Sequence, residues 1–185
     1  MRRAASWLNI PNLLSLARLA LTPLAARSIL QHDYEQALGV IAAAGVTDAL
    51  DGLFARRFGW QTRLGGYLDP IVDKVLLVAV YVAMGIAELV PRWLVLLVLG
   101  RDVLILGFSA AIILSTSHRD FRPSVWGKIS TILQITTVVA VIAGGVFAVS
   151  LVRQVASALL WMTAAATVWS GIHYSWLGVR MARGT

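Results

Sequence analysis

Four aspartates stand out by residue type and spacing. Asp48 and Asp51 are three residues apart and Asp69 and Asp73 four apart, all set in or beside apolar sequence. The whole chain carries only nine Asp and Glu, so this is a concentration of scarce charge. On an α-helix, residues three or four apart share a face. Two helices joined by the short basic loop between Arg56 and Gly65 would bring both faces together as a four-carboxylate cup. One carboxylate at membrane depth costs roughly 2.5–3.5 kcal/mol on insertion scales, so four unpaired ones would cost on the order of 10 kcal/mol or more. Close like charges add to that or force protonation. Hard divalent cations, Mg²⁺ or Mn²⁺, remove the problem, because they prefer carboxylate oxygens and keep positions open for water and phosphate. Two such ions clamped by four aspartates suit phosphoryl chemistry. The simpler alternative is that each pair caps or salt-bridges a helix end.

The elements that must position this cup are set by composition. The chain has 185 residues, of which 58% are hydrophobic and 14% charged, and its mean hydropathy is +0.77. A soluble domain of this length could not hide that much apolar surface. The fold class expected is all-α, a polytopic membrane protein with six transmembrane helices, a short N-terminal interfacial segment and one membrane domain over residues 1–185. There is no cysteine, which excludes disulfides and thiolate metal sites. The net charge of +7 would suggest nucleic acid in a soluble protein. Here Lys and Arg fall between apolar spans, which points to positive-inside topology and anionic headgroups, with no nucleic-acid partner.

Residues 1–12, with Trp7, Leu8 and Ile10 beside Arg2 and Arg3, suit an amphipathic segment at the headgroups. Met1-Arg2-Arg3 imitates the start of a signal peptide, but Pro11, Arg18 and Pro23 interrupt the apolar run behind it. Ala25-Ala26-Arg27 is also a poor cleavage site, so a retained first helix is expected. Asn12 is a candidate N-cap for a span from Leu13 to Leu30, within which Arg18 either snorkels to the interface or faces an anionic ligand. Further spans are expected over about Ala37–Ala55, Gly65–Ala87, Pro91–Ser115, Gly127–Val149 and Gln154–Leu177. Pro70 is expected in the first turn of the third, where its missing N–H removes no helix bond. Basic residues cluster at the N-terminus, in the 56–63 and 117–128 loops and in the tail, against only Arg27, Arg92 and Arg153 on the other side. Both termini and the cup are therefore expected to be cytoplasmic.

The first pair reads Asp48-x-x-Asp51-Gly52-x-x-Ala55-Arg56, and after eight residues comes Gly65-x-x-x-Asp69-x-x-x-Asp73. This resembles, without a departure, the signature of the CDP-alcohol phosphotransferase family. The opening Asn9-Ile10-Pro11-Asn12-Leu13-Leu14-Ser15 with Arg18, the Leu68-Asp69-Pro70 and Asp73-Lys74 segments, and Gly127-Lys128 with Thr131 and Gln134 resemble its phosphatidylglycerophosphate synthases. The resemblance implies that Asp48, Asp51, Asp69 and Asp73 ligate two divalent cations, Mg²⁺ or Mn²⁺. It also implies that Asp48, Gly52, Ala55, Arg56 and Gly65 bind the CDP part of CDP-diacylglycerol. The small Gly52 and Ala55 would let a flat ligand approach the backbone, although small residues also serve helix packing. Arg56 would contact a pyrophosphate oxygen through its planar fork. Asp73 would be the general base for the acceptor hydroxyl, with a purely metal-ligating Asp73 as the alternative.

A second constellation comprises Arg101, Lys128 and Arg122. Arg101 is costly in mid-helix unless it faces a polar cavity or pairs with a neighbour, and Asp102, about 100° away on the helix, is an imperfect partner. A phosphate pocket for an anionic alcohol acceptor is expected at Arg101 and Lys128 with Arg122. His32, His118 and His173 lack ligand spacing. By resemblance the acceptor is glycerol 3-phosphate. The alternative is phosphatidylglycerol, as in the family's cardiolipin synthases, because Arg101-Asp102 and Arg122-Pro123 resemble those enzymes. A homodimer in a bacterial inner membrane is implied, with Gly100, Gly107 and Ala110 as candidate contacts. A cation-coupled transporter, the reading from a different class, would place its carboxylates near the bilayer midplane and often show inverted repeats. Here both pairs fall at one interface and no repeat is visible.

Overall fold

The computed structural model describes residues 10–58, 65–115, 125–147 and 149–182. Among the described residues there are six helices and no strand: α1 Ile10–Leu30, α2 Tyr34–Phe58, α3 Gly65–Ile86, α4 Arg92–Ser115, α5 Val125–Phe147 and α6 Ser150–Ala182. Their lengths, 21 to 33 residues, correspond to roughly 30–50 Å, enough to reach across a hydrocarbon core. By apolarity as well as length, three windows can cross a membrane among the described residues: Leu13–Leu30, Val125–Phe147 and Ser150–Trp176. Large apolar side chains such as Leu16, Val46, Leu96, Ile132 and Trp161 point outward. In water that surface would be a liability, whereas in lipid it is the solvated face. The chain is an integral membrane protein.

The helices form two compact units, Met1–Ala87 and Glu88–Thr185. In the first, α1 packs on both α2 and α3. Ala25, Ile29, Ala37, Val40 and Ala44 are buried there, and the alanines allow close helix approach, the usual source of packing where lipid removes the hydrophobic drive. The helix ends carry local chemistry. Residue Asn12 lies inside α1, which begins at Ile10, so it is not the N-cap expected of it. Pro70 is the sixth residue of α3 and not in its first turn, so its missing N–H is one that a regular helix would use.

The α1–α2 turn closes α1 with His32 in the left-handed region at φ 59°. The His32 amide donates to Ile29 O at 3.0 Å and the Asp33 amide to Ser28 O at 2.9 Å, the paired bonds of a Schellman end. Asp33 then caps α2, its Oδ1 accepting from the Gln36 amide at 3.0 Å. Replacing Asp33 with Ala is expected to lower stability by about 1 kcal/mol and Asp33→Ser by much less, read from thermal unfolding in detergent.

In the second unit α6 packs on α5 and on α4. A seam of buried polar side chains runs along α5 and α6 at heptad-like spacing: Ser130, Gln134 and Thr137 face Thr163, Thr167 and Ser170. Thr137 Oγ1 lies 2.7 Å from Thr163 Oγ1, and Gln134 Nε2 donates to Ser130 Oγ at 3.3 Å and Thr167 Oγ1 at 3.4 Å. Interhelical bonds of this kind hold apolar helices in register where lipid offers the polar groups no other partner.

Candidate functional site

In the first unit, Arg18 of α1 gathers one carboxylate from each aspartate pair. Its Nη1 lies 3.0 Å from Asp48 Oδ1 on α2 and donates to Asp73 Oδ1 on α3. The guanidinium side chain is only 1% exposed, whereas Asp48 and Asp73 are 52% and 47% exposed. The cation is therefore inside and the two anions open outward from it. A buried arginine would cost several kcal/mol unpaired, and two carboxylates from different helices offset that cost while tying α2 and α3 to α1. One turn further, Thr22 Oγ1 donates to the Arg18 carbonyl at 3.0 Å and Pro23 follows inside the helix.

Of the positions singled out in sequence, Asp48 and Asp73 are thus brought together, as the cup requires. Asp51, Gly52, Ala55 and Arg56 continue α2 beyond Asp48, and Gly65 and Asp69 belong to the first five residues of α3. The side chains of these six lie outside the described residues. Arg18 itself faces carboxylates and does not snorkel to an interface. No sequence signal could have found its partners, which lie 30 and 55 positions away.

The second unit holds the Arg101 cluster. Arg101 and Asp102 on α4 are 8% and 5% exposed and pair directly, Nη1 to Asp102 Oδ1 at 2.8 Å. Adjacent helix positions diverge, yet the long arginine stem spans the gap, so Asp102 is a better partner than its helical angle suggests. Arg101 Nε and Nη2 donate to Ser170 Oγ on α6 at 3.2 and 2.9 Å, and Nη2 reaches the Gly127 carbonyl on α5 at 3.4 Å. Its Cζ lies 5.9 Å from the centre of the Tyr174 ring, within cation–π range. Ser170 and Tyr174 went unnoticed in sequence because a lone Ser or Tyr in an apolar helix carries no spacing signal.

Lys128 is exposed in the first turn of α5, next to Gly127. Arg122 lies outside the described residues. Gly127 has a steric reason of its own. A Cβ there would come 2.7 Å from Tyr174 Oη and 3.2 Å from Arg101 Nη2. Gly127→Ala is expected to cost roughly 1–3 kcal/mol by overpacking, with Tyr174→Phe in the same chain restoring part of it, as thermal unfolding would show.

A family model described as CDP-alcohol phosphatidyltransferase matches residues 8–169, nearly nine-tenths of the chain and both units. The chain belongs to the CDP-alcohol phosphatidyltransferase family. Among curated members it is 34% identical to a cardiolipin synthase (CMP-forming) of Rattus norvegicus over 95% of this chain and 64% of that protein. It is 33% identical to a CDP-diacylglycerol–glycerol-3-phosphate 3-phosphatidyltransferase of Aquifex aeolicus over 94% of this chain and 98% of that one. A putative cardiolipin synthase of Mycobacterium tuberculosis is 40% identical across 54% of this chain and 48% of its own length. The chain thus spans a little under two thirds of the rat and human relatives and nearly all of the Aquifex one. Family membership fits the donor set on α2 and α3. Both described carboxylates are half-exposed hard oxygen donors brought together from two helices, which is the donor chemistry a divalent cation takes.

Proposed function

We propose that this family member transfers a phosphatidyl group from CDP-diacylglycerol to glycerol 3-phosphate, releasing CMP and forming phosphatidylglycerophosphate in a bacterial inner membrane with its active site cytoplasmic. The observation that carries the reading is the convergence of Asp48 and Asp73 from α2 and α3, the helices that bear the family signature. Two divalent cations held by Asp48, Asp51, Asp69 and Asp73 would supply charge compensation for the pyrophosphate. Asp48, Gly52, Ala55, Arg56 and Gly65 bind the CDP moiety, with Arg56 on a phosphate oxygen. Asp73 takes the proton from the acceptor hydroxyl as that oxygen bonds to the lipid-side phosphorus. The phosphoanhydride bond breaks and CMP leaves with its electron pair. Arg101, Lys128 and Arg122 attract the acceptor phosphate. The functional unit is a homodimer.

The second reading, a cardiolipin synthase that takes phosphatidylglycerol, is favoured by Arg101-Asp102 and by the rat relative. CMP release by purified protein with Mg²⁺ or Mn²⁺ separates the two. Turnover with glycerol 3-phosphate, lost on chelation with EDTA, is expected. Turnover with phosphatidylglycerol alone would make it a cardiolipin synthase, and no metal-dependent CMP with any acceptor would sink the enzyme reading.

A further inference from the structure

Arg18 is far less exposed than Asp48 and Asp73, and both of these described carboxylate partners meet the same atom, Nη1. One guanidinium between two carboxylates leaves the trio with a single net negative charge. Without the arginine, Asp48 and Asp73 would face each other across the α1 face as like charges that repel. The arginine thus performs, inside the protein, the service a divalent ion performs from outside. The two cannot both do so at full strength. A dication ligated by either carboxylate would sit close to the guanidinium, and repulsion between them scales with the product of their charges.

Resting on the metal reading of the cup, we infer that Arg18 is the resident counter-cation of Asp48 and Asp73. It keeps the metal-free site charged and folded, and it competes with the divalent cation for these carboxylates. Arg18 acts through Asp48 and Asp73, so it is a positioning residue. Its competition sets the metal affinity of the site below what four aspartates would otherwise reach. The pair therefore exchanges one cation for another on loading and never stands bare. An arginine that merely packs α1 against its neighbours would lower stability when replaced but would not raise metal affinity. That difference in sign is the test.

Mn²⁺ binding to the purified protein in detergent is measured from loss of the free Mn²⁺ paramagnetic resonance signal, alongside thermal unfolding with and without Mn²⁺. Arg18→Gln is expected to bind Mn²⁺ about tenfold more tightly, to melt lower without metal and to gain more from Mn²⁺ than the unaltered chain, as expected when a ligand binds the folded state. Arg18→Lys, a point charge that serves two carboxylates poorly, is expected to fall between them. Equal or weaker Mn²⁺ binding by Arg18→Gln overturns the inference. If Arg18→Gln folds only with Mn²⁺, the inference is supported. If it folds under neither condition, Arg18→Lys decides, tighter Mn²⁺ binding supporting the inference and equal or weaker binding overturning it. Failure of the unaltered chain to bind Mn²⁺ at all would instead remove the metal reading, and this inference with it.

Discussion

Asp73→Asn is expected to reduce CMP release by about a thousandfold or more while leaving the protein folded, because loss of a positioned base alone typically costs 10²–10⁴-fold. The substitution is nearly isosteric and can still accept a hydrogen bond from Arg18. Asp48 remains as the second described carboxylate on Nη1. The stability cost should therefore stay near that of one charge-assisted hydrogen bond, roughly 1.5–3 kcal/mol. Unfolding curves and CMP assays on the same preparation separate the two effects. Mn²⁺ titration of the variant then distinguishes Asp73's roles. A base that is also a ligand loses both turnover and metal affinity, whereas a base alone loses turnover at unchanged affinity. Residual activity above a tenth of the parent's would remove Asp73 from the chemistry.

That prediction rests on a pair of positions legible in the bare sequence, and the reason is physical. Carboxylates are so expensive in apolar helices that their presence at one-turn spacing demands an explanation. The helices were legible for the same cause, since long apolar runs bounded by Pro, Gly and charge leave few alternatives. Their ends were less so. Asn12 looks like a cap because its side chain can serve as one, yet Pro11 is itself compatible with early helix positions and α1 starts before both. The polar seam of α5 and α6 was invisible because Ser and Thr barely alter hydropathy and their hydroxyls can bond within their own helix. Thr131 and Ser175 do so, donating to the carbonyls four residues back, whereas Thr137 reaches across to Thr163. Arg18 posed a sharper version of the problem. Its residue type announced a buried or snorkelling charge, but only the packing of α1 between α2 and α3 decides which anions it meets.

Arg101→Ala is expected to destabilise the protein by about 3–5 kcal/mol, the usual consequence of leaving half of a buried ion pair behind. Asp102 is 5% exposed, and truncating Arg101 takes away its described cationic partner together with the donors that reach Ser170 and the Gly127 carbonyl. Removing both charges should be far milder. Arg101→Met with Asp102→Leu replaces the pair by apolar groups of similar bulk, which is often neutral or stabilising once neither charge is stranded. A thermodynamic cycle over these variants in detergent measures the coupling, and a double variant no more stable than Arg101→Ala would show that the pair is not the source of the loss. The same double variant tests the acceptor pocket, because it stays folded while lacking the guanidinium. If Arg101 also attracts the acceptor phosphate, KM for glycerol 3-phosphate rises while stability holds. Lys128, exposed at the start of α5, provides the complementary case. With no buried partner to strand among the described residues, Lys128→Ala should leave the melting temperature within a degree or two, by about the margin of ordinary surface substitutions. Its KM should rise about tenfold or more, the worth of one charge-assisted contact to a phosphate. A fall in stability without a change in KM in either variant would assign that cation to structure alone.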